Sequence, residues 1–172
     1  AFRPYESVRA YYARASEGKV DLRGNVLGWY ELPNNKDTYK PNIAGMTPEQ
    51  RARAENKAIL DMTLEALKSY DAAGHDFAQY DNDGDGDVDV VNILYAGPRP
   101  PRENWGTFWW AYRWSFYVPE AALAANKLDG KRLKQFVFQF VERRDTPTGP
   151  DYDPLTLLHE TGHAFGLADY YD

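Results

Sequence analysis

The chain has 172 residues and a formal net charge of -6, with 20 lysines and arginines against 26 aspartates and glutamates. This length can bury a real core in one domain, and the acidic balance offers no footprint for nucleic acid or an anionic membrane. No cysteine is present, which excludes disulfides and thiolate metal sites, and no run approaches the roughly 20 apolar residues of a membrane helix.

The chain opens on Ala1 with neither an initiator methionine nor a signal-like segment, so whatever preceded it is expected to have been removed. The first 17 residues predict a helix with Phe2, Val8, Tyr11 and Tyr12 as apolar positions and Gly18 closing it. Val20 to Leu32 reads as extended chain, bent or bulged at Gly24 and Gly28, and residues 34–46 read as loop. Thr47-Pro48-Glu49-Gln50 is a helix start: Thr47 caps, Pro48 suits the first helical position and Gln50 closes a capping box. That helix should run to Ala73 and stop at Gly74, with Ile59, Leu60, Thr63, Leu67 and Tyr70 on one face. His75, just beyond it, reads as an ordinary surface or capping residue.

Five aspartates fall between Asp81 and Asp89. Asp81, Asp83, Asp85, Gly86, Val88 and Asp89 match positions of an EF-hand loop, and the carbonyl of Asp87 supplies position 7. Position 12 is Asn92 and not the bidentate Glu of an EF-hand. Crowded carboxylates repel without a cation, so Asp81, Asp83, Asp85, Asp87 and Asp89 are candidate ligands of a structural Ca2+ ion; the competing reading is a solvated acidic loop.

Val88 to Ala96 predicts a strand and Pro98 to Arg102 a rigid loop. Trp105 to Val118 is dense in rings, which either fill the core or line a cleft with an edge strand beside it; Arg113 and Glu142 are candidates for a structural ion pair. Phe136 to Val141 reads as a strand near a sheet centre, and Asp145 to Pro150 as loop. Asp153 as cap and Pro154 at the first turn should start a final helix, its apolar Leu155, Leu157 and Leu158 buried. The expected fold class is therefore α/β or α+β, a small twisted mixed sheet backed by a long helix.

That last helix carries His159-Glu160-Thr161-Gly162-His163, followed by Gly166 and Asp169. Two histidines four apart lie about 40° apart around a helix and about 6 Å along it, so both imidazoles can meet one ion. Glu160 projects beside the metal, where a general base stands. Gly166 can take the left-handed conformation that turns the chain back under the metal. Asp169 is then placed as a third ligand, and Asp172 serves if the turn is wider. A bare HExxH arises by chance in on the order of one such chain in a hundred, and the added Gly and Asp lower that more than about a hundredfold.

The string from His159 to Asp172 resembles the HExxHxxGxxD signature of the immune inhibitor A-like metallopeptidases, peptidase family M6, relatives of the metzincins. Tyr11 to Val20, Gly24 to Leu32, Asp81 to Gly97 and Trp110 to Trp114 also resemble family segments, with Tyr112 where a His is common. The resemblance implies a zincin-like fold and a secreted bacterial or archaeal zinc endopeptidase. Zinc is then held by His159, His163 and Asp169, a metal-activated water attacks the peptide bond, and Glu160 is the base. Protein or peptide substrates are implied, with no nucleic-acid partner; nothing in the chain specifies an oligomeric state. Both methionines, Met46 and Met62, precede the motif, so the metzincin methionine turn lies outside the chain. Residues 1–172 are then expected to be the upper part of a catalytic domain, cut at both ends. The competing expectation is a calcium- and zinc-binding fragment without turnover.

Overall fold

A computed structural model describes residues 6–97, 100–101, 103, 107–116, 119–141, 143–146, 149–152 and 154–169, with the backbone alone for 143–146 and 149–152. Helix α1 spans Val8–Ala15, later than expected because the Ser7 side chain caps it by accepting from the Ala10 N–H; Phe2 lies outside the described residues. Gly18, at φ 81°, ends the turn that closes it. Residues 20–32, expected as extended chain, form neither helix nor ladder among the described residues. They are held from the side instead: the Tyr70 hydroxyl donates to the Gly28 carbonyl at 2.6 Å, and Leu27 and Leu32 pack on the core. The expected loop 34–46 contains a short helix α2, Lys36–Tyr39.

Helix α3, Pro48–Ala72, forms with both halves of the capping box made. It ends at Gly74, whose φ of 90° admits the His75 N–H to the Tyr70 carbonyl at 3.0 Å. Ile59, Leu60, Met62, Thr63, Leu64 and Leu67 are its buried side. The extended run predicted after the acidic turn divides into β1, Asp87–Val88, and β2, Val91–Tyr95. Of the aromatic run, Tyr112–Ser115 forms β3. Phe108 and Phe116 are buried, Trp109 and Tyr112 pack against the core and Trp114 is exposed, so the run is mostly core; Trp105 and Tyr117 lie outside the described residues. Helix α4, Glu120–Ala125, leads to β4, Arg132–Leu133, and β5, Gln135–Phe140.

Strand β5 is the centre of a three-stranded sheet, parallel to β2 and antiparallel to β3; β1 and β4 pair in parallel beside it. Phe136 and Phe138 join the α3 side chains in the core, while Val137 and Gln139, also buried, alternate to the other face. A strand covered on both faces needs this near-continuous apolar run. The region expected to be loop is instead a hairpin, β6 Arg143–Thr146 with β7 Gly149–Tyr152. A proline such as Pro150 is tolerated in an isolated ribbon, which leaves one edge of each strand unpaired.

The last helix, α5, spans Leu155–Ala164 and packs on β5 and β3. Asp153 lies outside the described residues, and Pro154 occupies the cap position. The expectation that the leucines mark its buried side is corrected. Leu155 is exposed, and the buried residues are Glu160, Thr161 and Gly162. The helix turns the middle of the motif toward the sheet, so the histidines flank its solvent side.

Candidate metal centre

Helix α5 sets His159 and His163 one turn apart, with their Nε2 atoms 3.1 Å from each other. Its end supplies the third group. Gly166 adopts φ 83°, allowing its N–H to reach the His163 carbonyl at 3.0 Å and the Leu167 N–H to reach the Gly162 carbonyl at 3.1 Å. This double closure requires a left-handed residue, which glycine takes without Cβ strain. The chain then runs back along the helix and delivers Asp169 Oδ1 to 3.1 Å from His159 Nε2 and 3.0 Å from His163 Nε2.

The same turn brings the Leu167 carbonyl to 2.7 Å from His163 Nδ1. A carbonyl only accepts, so Nδ1 donates, and when the ring carries one proton Nε2 presents a lone pair. That nitrogen faces a carboxylate oxygen and a second imidazole nitrogen, a donor set that could hold a cation. A tetrahedral ion with bonds of about 2.0–2.1 Å spaces its ligand atoms about 3.3–3.4 Å apart, within a few tenths of an ångström of the observed triangle. The residues fit a zinc-type ion. His159 and Asp169 remain two-fifths and one-half exposed, which leaves one side of the triangle open, as a catalytic site requires.

Glu160 is buried between the histidines and the sheet. Burial pushes its carboxyl above the ordinary range and Asp169 adds to this, while the two imidazoles and the Arg113 backbone N–H draw it back. Strand β3 thus borders the candidate base. Across the helix, the Tyr12 hydroxyl donates to the Leu158 carbonyl and would sit 3.1 Å from a Cβ placed on Gly162. An open cleft of about 400 Å³ adjoins His163, lined by Arg113, Ser115, Lys134, Gln135 and the helix end.

Among the described residues a second group converges at the acidic turn, where Asp81, Asp83 and Asp85 bring carboxylate oxygens within 4.8 Å of one another. Gly84 and Gly86 donate backbone N–H groups to Asp81 at 2.8 and 3.0 Å. Asp89 faces the same three carboxylates; burial first, then their repulsion, raises its carboxyl. The Asp87 carboxylate turns away, to Arg132 at 2.5 Å and Lys134 at 3.3 Å. Lys131 lies 2.7 Å from Asp81 and Lys134 2.5 Å from Asp85. His75 pairs with the Tyr80 hydroxyl at 2.8 Å and belongs to neither group.

The motif residues predicted for zinc, His159, His163 and Asp169, are brought together; Asp172 and Glu142 lie outside the described residues. The Leu167 carbonyl, the Arg113 N–H and Tyr12 were not foreseen. The first two are backbone groups that carry no sequence signature, and Tyr12 read only as an apolar helix position.

A mixed α/β domain of this kind is compatible with a peptidase domain. The catalytic-domain model of the immune inhibitor A peptidases, family M6, matches residues 3–172, and the chain belongs to that family. It is 26% identical over 185 residues to immune inhibitor A of Bacillus thuringiensis subsp. alesti, covering 97% of this chain and 26% of that protein. It is also 26% identical over 183 residues to the pre-pro-metalloprotease PrtV of Vibrio cholerae serotype O1, covering 96% of this chain and 19% of the relative. The chain therefore spans about a quarter or less of the length of these relatives. No solved structure matches.

Proposed function

We propose that this domain is the catalytic part of a secreted bacterial-type zinc endopeptidase, with His159, His163 and Asp169 holding the ion and Glu160 acting as general base. The observation that carries the reading is the triangle of two Nε2 atoms and one carboxylate oxygen, each within 3.1 Å of the others, beside a buried glutamate. A bound zinc ion supplies Lewis-acid polarisation of a carbonyl and acidifies water.

The chain's own residues supply the rest. Glu160, held in its buried seat, takes a proton from the attacking water and returns it to the departing amine. The Leu167 carbonyl fixes the tautomer and ring plane of His163. Strand β3, at the edge of its sheet, offers a rail on which an extended protein segment aligns. The names of the relatives, a metalloprotease among them, support protein substrates. A Ca2+ ion at Asp81, Asp83, Asp85 and Asp89, with the Asp87 carbonyl, is part of the same proposal and serves stability.

Glu160→Gln tests the mechanism. The variant keeps stoichiometric metal by elemental analysis and loses casein cleavage by about a hundredfold or more. Undiminished cleavage removes Glu160 from the mechanism, and absence of metal from the parent protein removes the site.

A further inference from the structure

Arg113 stands apart from the other arginines whose side chains are described. Arg9, Arg14, Arg23, Arg51, Arg53 and Arg132 each face a carboxylate. Arg113 has none among the described residues. Its Nε donates to the Gln135 amide oxygen at 3.1 Å, and one terminal nitrogen donates to the same oxygen. Gln135 is itself oriented, because its amide nitrogen donates to the Asp89 carbonyl at 2.7 Å. A neutral clamp therefore holds a half-buried guanidinium in place without neutralising it. A guanidinium carries five N–H donors in a planar fork, so the clamp leaves donors and the whole charge in hand. Lys134, on the same cleft, is different, since Asp85 and Asp87 answer its charge.

The location gives this charge a use. Arg113 and the candidate ligand His163 line one open cleft, and strand β3, which carries Arg113, packs on the helix that carries the candidate base. A guanidinium with no carboxylate partner among the described residues, next to the proposed reaction centre, suits an anion of carboxylate shape.

We propose that Arg113 is a specificity-determining residue that selects substrates by a carboxylate close to the scissile bond, received between β3 and the end of α5. The proposal rests on the peptidase reading above. The carboxylate comes either from an Asp or Glu side chain or from the C-terminus of a short peptide, and the assay separates the two.

The experiment uses the full-length protein and quenched-fluorescence peptides in matched pairs, Glu against Gln at one position at a time, each as C-terminal acid and amide. The expected result is one position, or the C-terminal acid, at which the carboxylate raises kcat/KM by about tenfold or more. In Arg113→Gln that ratio falls to about one, and Arg113→Lys, which keeps charge without the fork, retains an intermediate ratio. A side-chain preference identifies an internal acidic residue as the ligand, and an acid-over-amide preference identifies the C-terminus. Equal cleavage of every pair by the parent overturns the subsite while leaving the peptidase intact, and so does a preference that survives in Arg113→Gln. Cleavage of no peptide overturns the peptidase reading and the subsite with it.

Discussion

Replacing Gly166 by Ala tests how the metal centre is assembled. The residue sits at φ 83° with nothing within 4 Å of the point where an added methyl group would stand, so the substitution meets no clash and its whole effect is conformational. An L-residue held in the left-handed region costs about 1–2 kcal/mol relative to Gly. The turn it disturbs places both the Leu167 carbonyl against His163 Nδ1 and the Asp169 carboxylate against the two imidazoles. The zinc-loaded protein should therefore lose the full amount, a fall in Tm of about 2–8 °C for a domain of this size. If the metal-free turn relaxes, the same cost appears as zinc affinity weakened by about 5- to 30-fold. Thermal unfolding with and without zinc, together with competition against a chromophoric chelator, separates the two shares. Gly166→Asn should fall between Ala and the parent, because Asn visits this conformation more readily. Zinc-loaded Gly166→Ala as stable as the parent, with unchanged zinc affinity, would refute the assignment of the turn.

Two further outcomes follow from the packing and the acidic turn. Tyr12→Phe removes a buried hydroxyl that donates to the Leu158 carbonyl, and should cost about 0.5–1.5 kcal/mol in urea unfolding; Gly162→Ala, tight against that hydroxyl in the parent, should be tolerated better when Tyr12 is already Phe, and strict additivity in the double-mutant cycle contradicts the contact. Calcium at a hundred times its Kd should add about 2.7 kcal/mol, or about 5–11 °C in Tm, with Asp83→Ala abolishing the response; an identical response in both proteins excludes the acidic turn as the binding site.

Much of the framework was legible because local chemistry and tertiary demand agree. The Thr47–Gln50 capping box and Gly74 bracket α3 as expected, and the aromatic run at Phe136 occupies the sheet centre that its composition requires. That His159, His163 and Asp169 converge was legible as well, since helical period and one glycine suffice to bring them together. Where the reading fell short, the deciding interactions were distant. Residues 20–32 have strand-like composition, yet their anchor is a hydroxyl from Tyr70 and they enter no ladder among the described residues. Leu155 looked like core, but α5 rests on the sheet through Glu160, Thr161 and Gly162, so orientation overrode hydrophobicity. The hairpin at 143–152 was hidden by its own Pro and Gly, which read as loop until a partner strand is known.

All three prospective zinc ligands come from eleven consecutive residues, His159 to Asp169, whereas the seat of Glu160 includes a backbone donor from Arg113, far upstream. On the proposed function, the ligands of the ion would come from one helix and its exit, whereas the setting of the base would depend on the assembled sheet as well. A substitution in β3 that leaves α5 packed on the sheet should then give a protein that still chelates but cuts less, so metal content alone would be a poor gauge of hydrolytic competence.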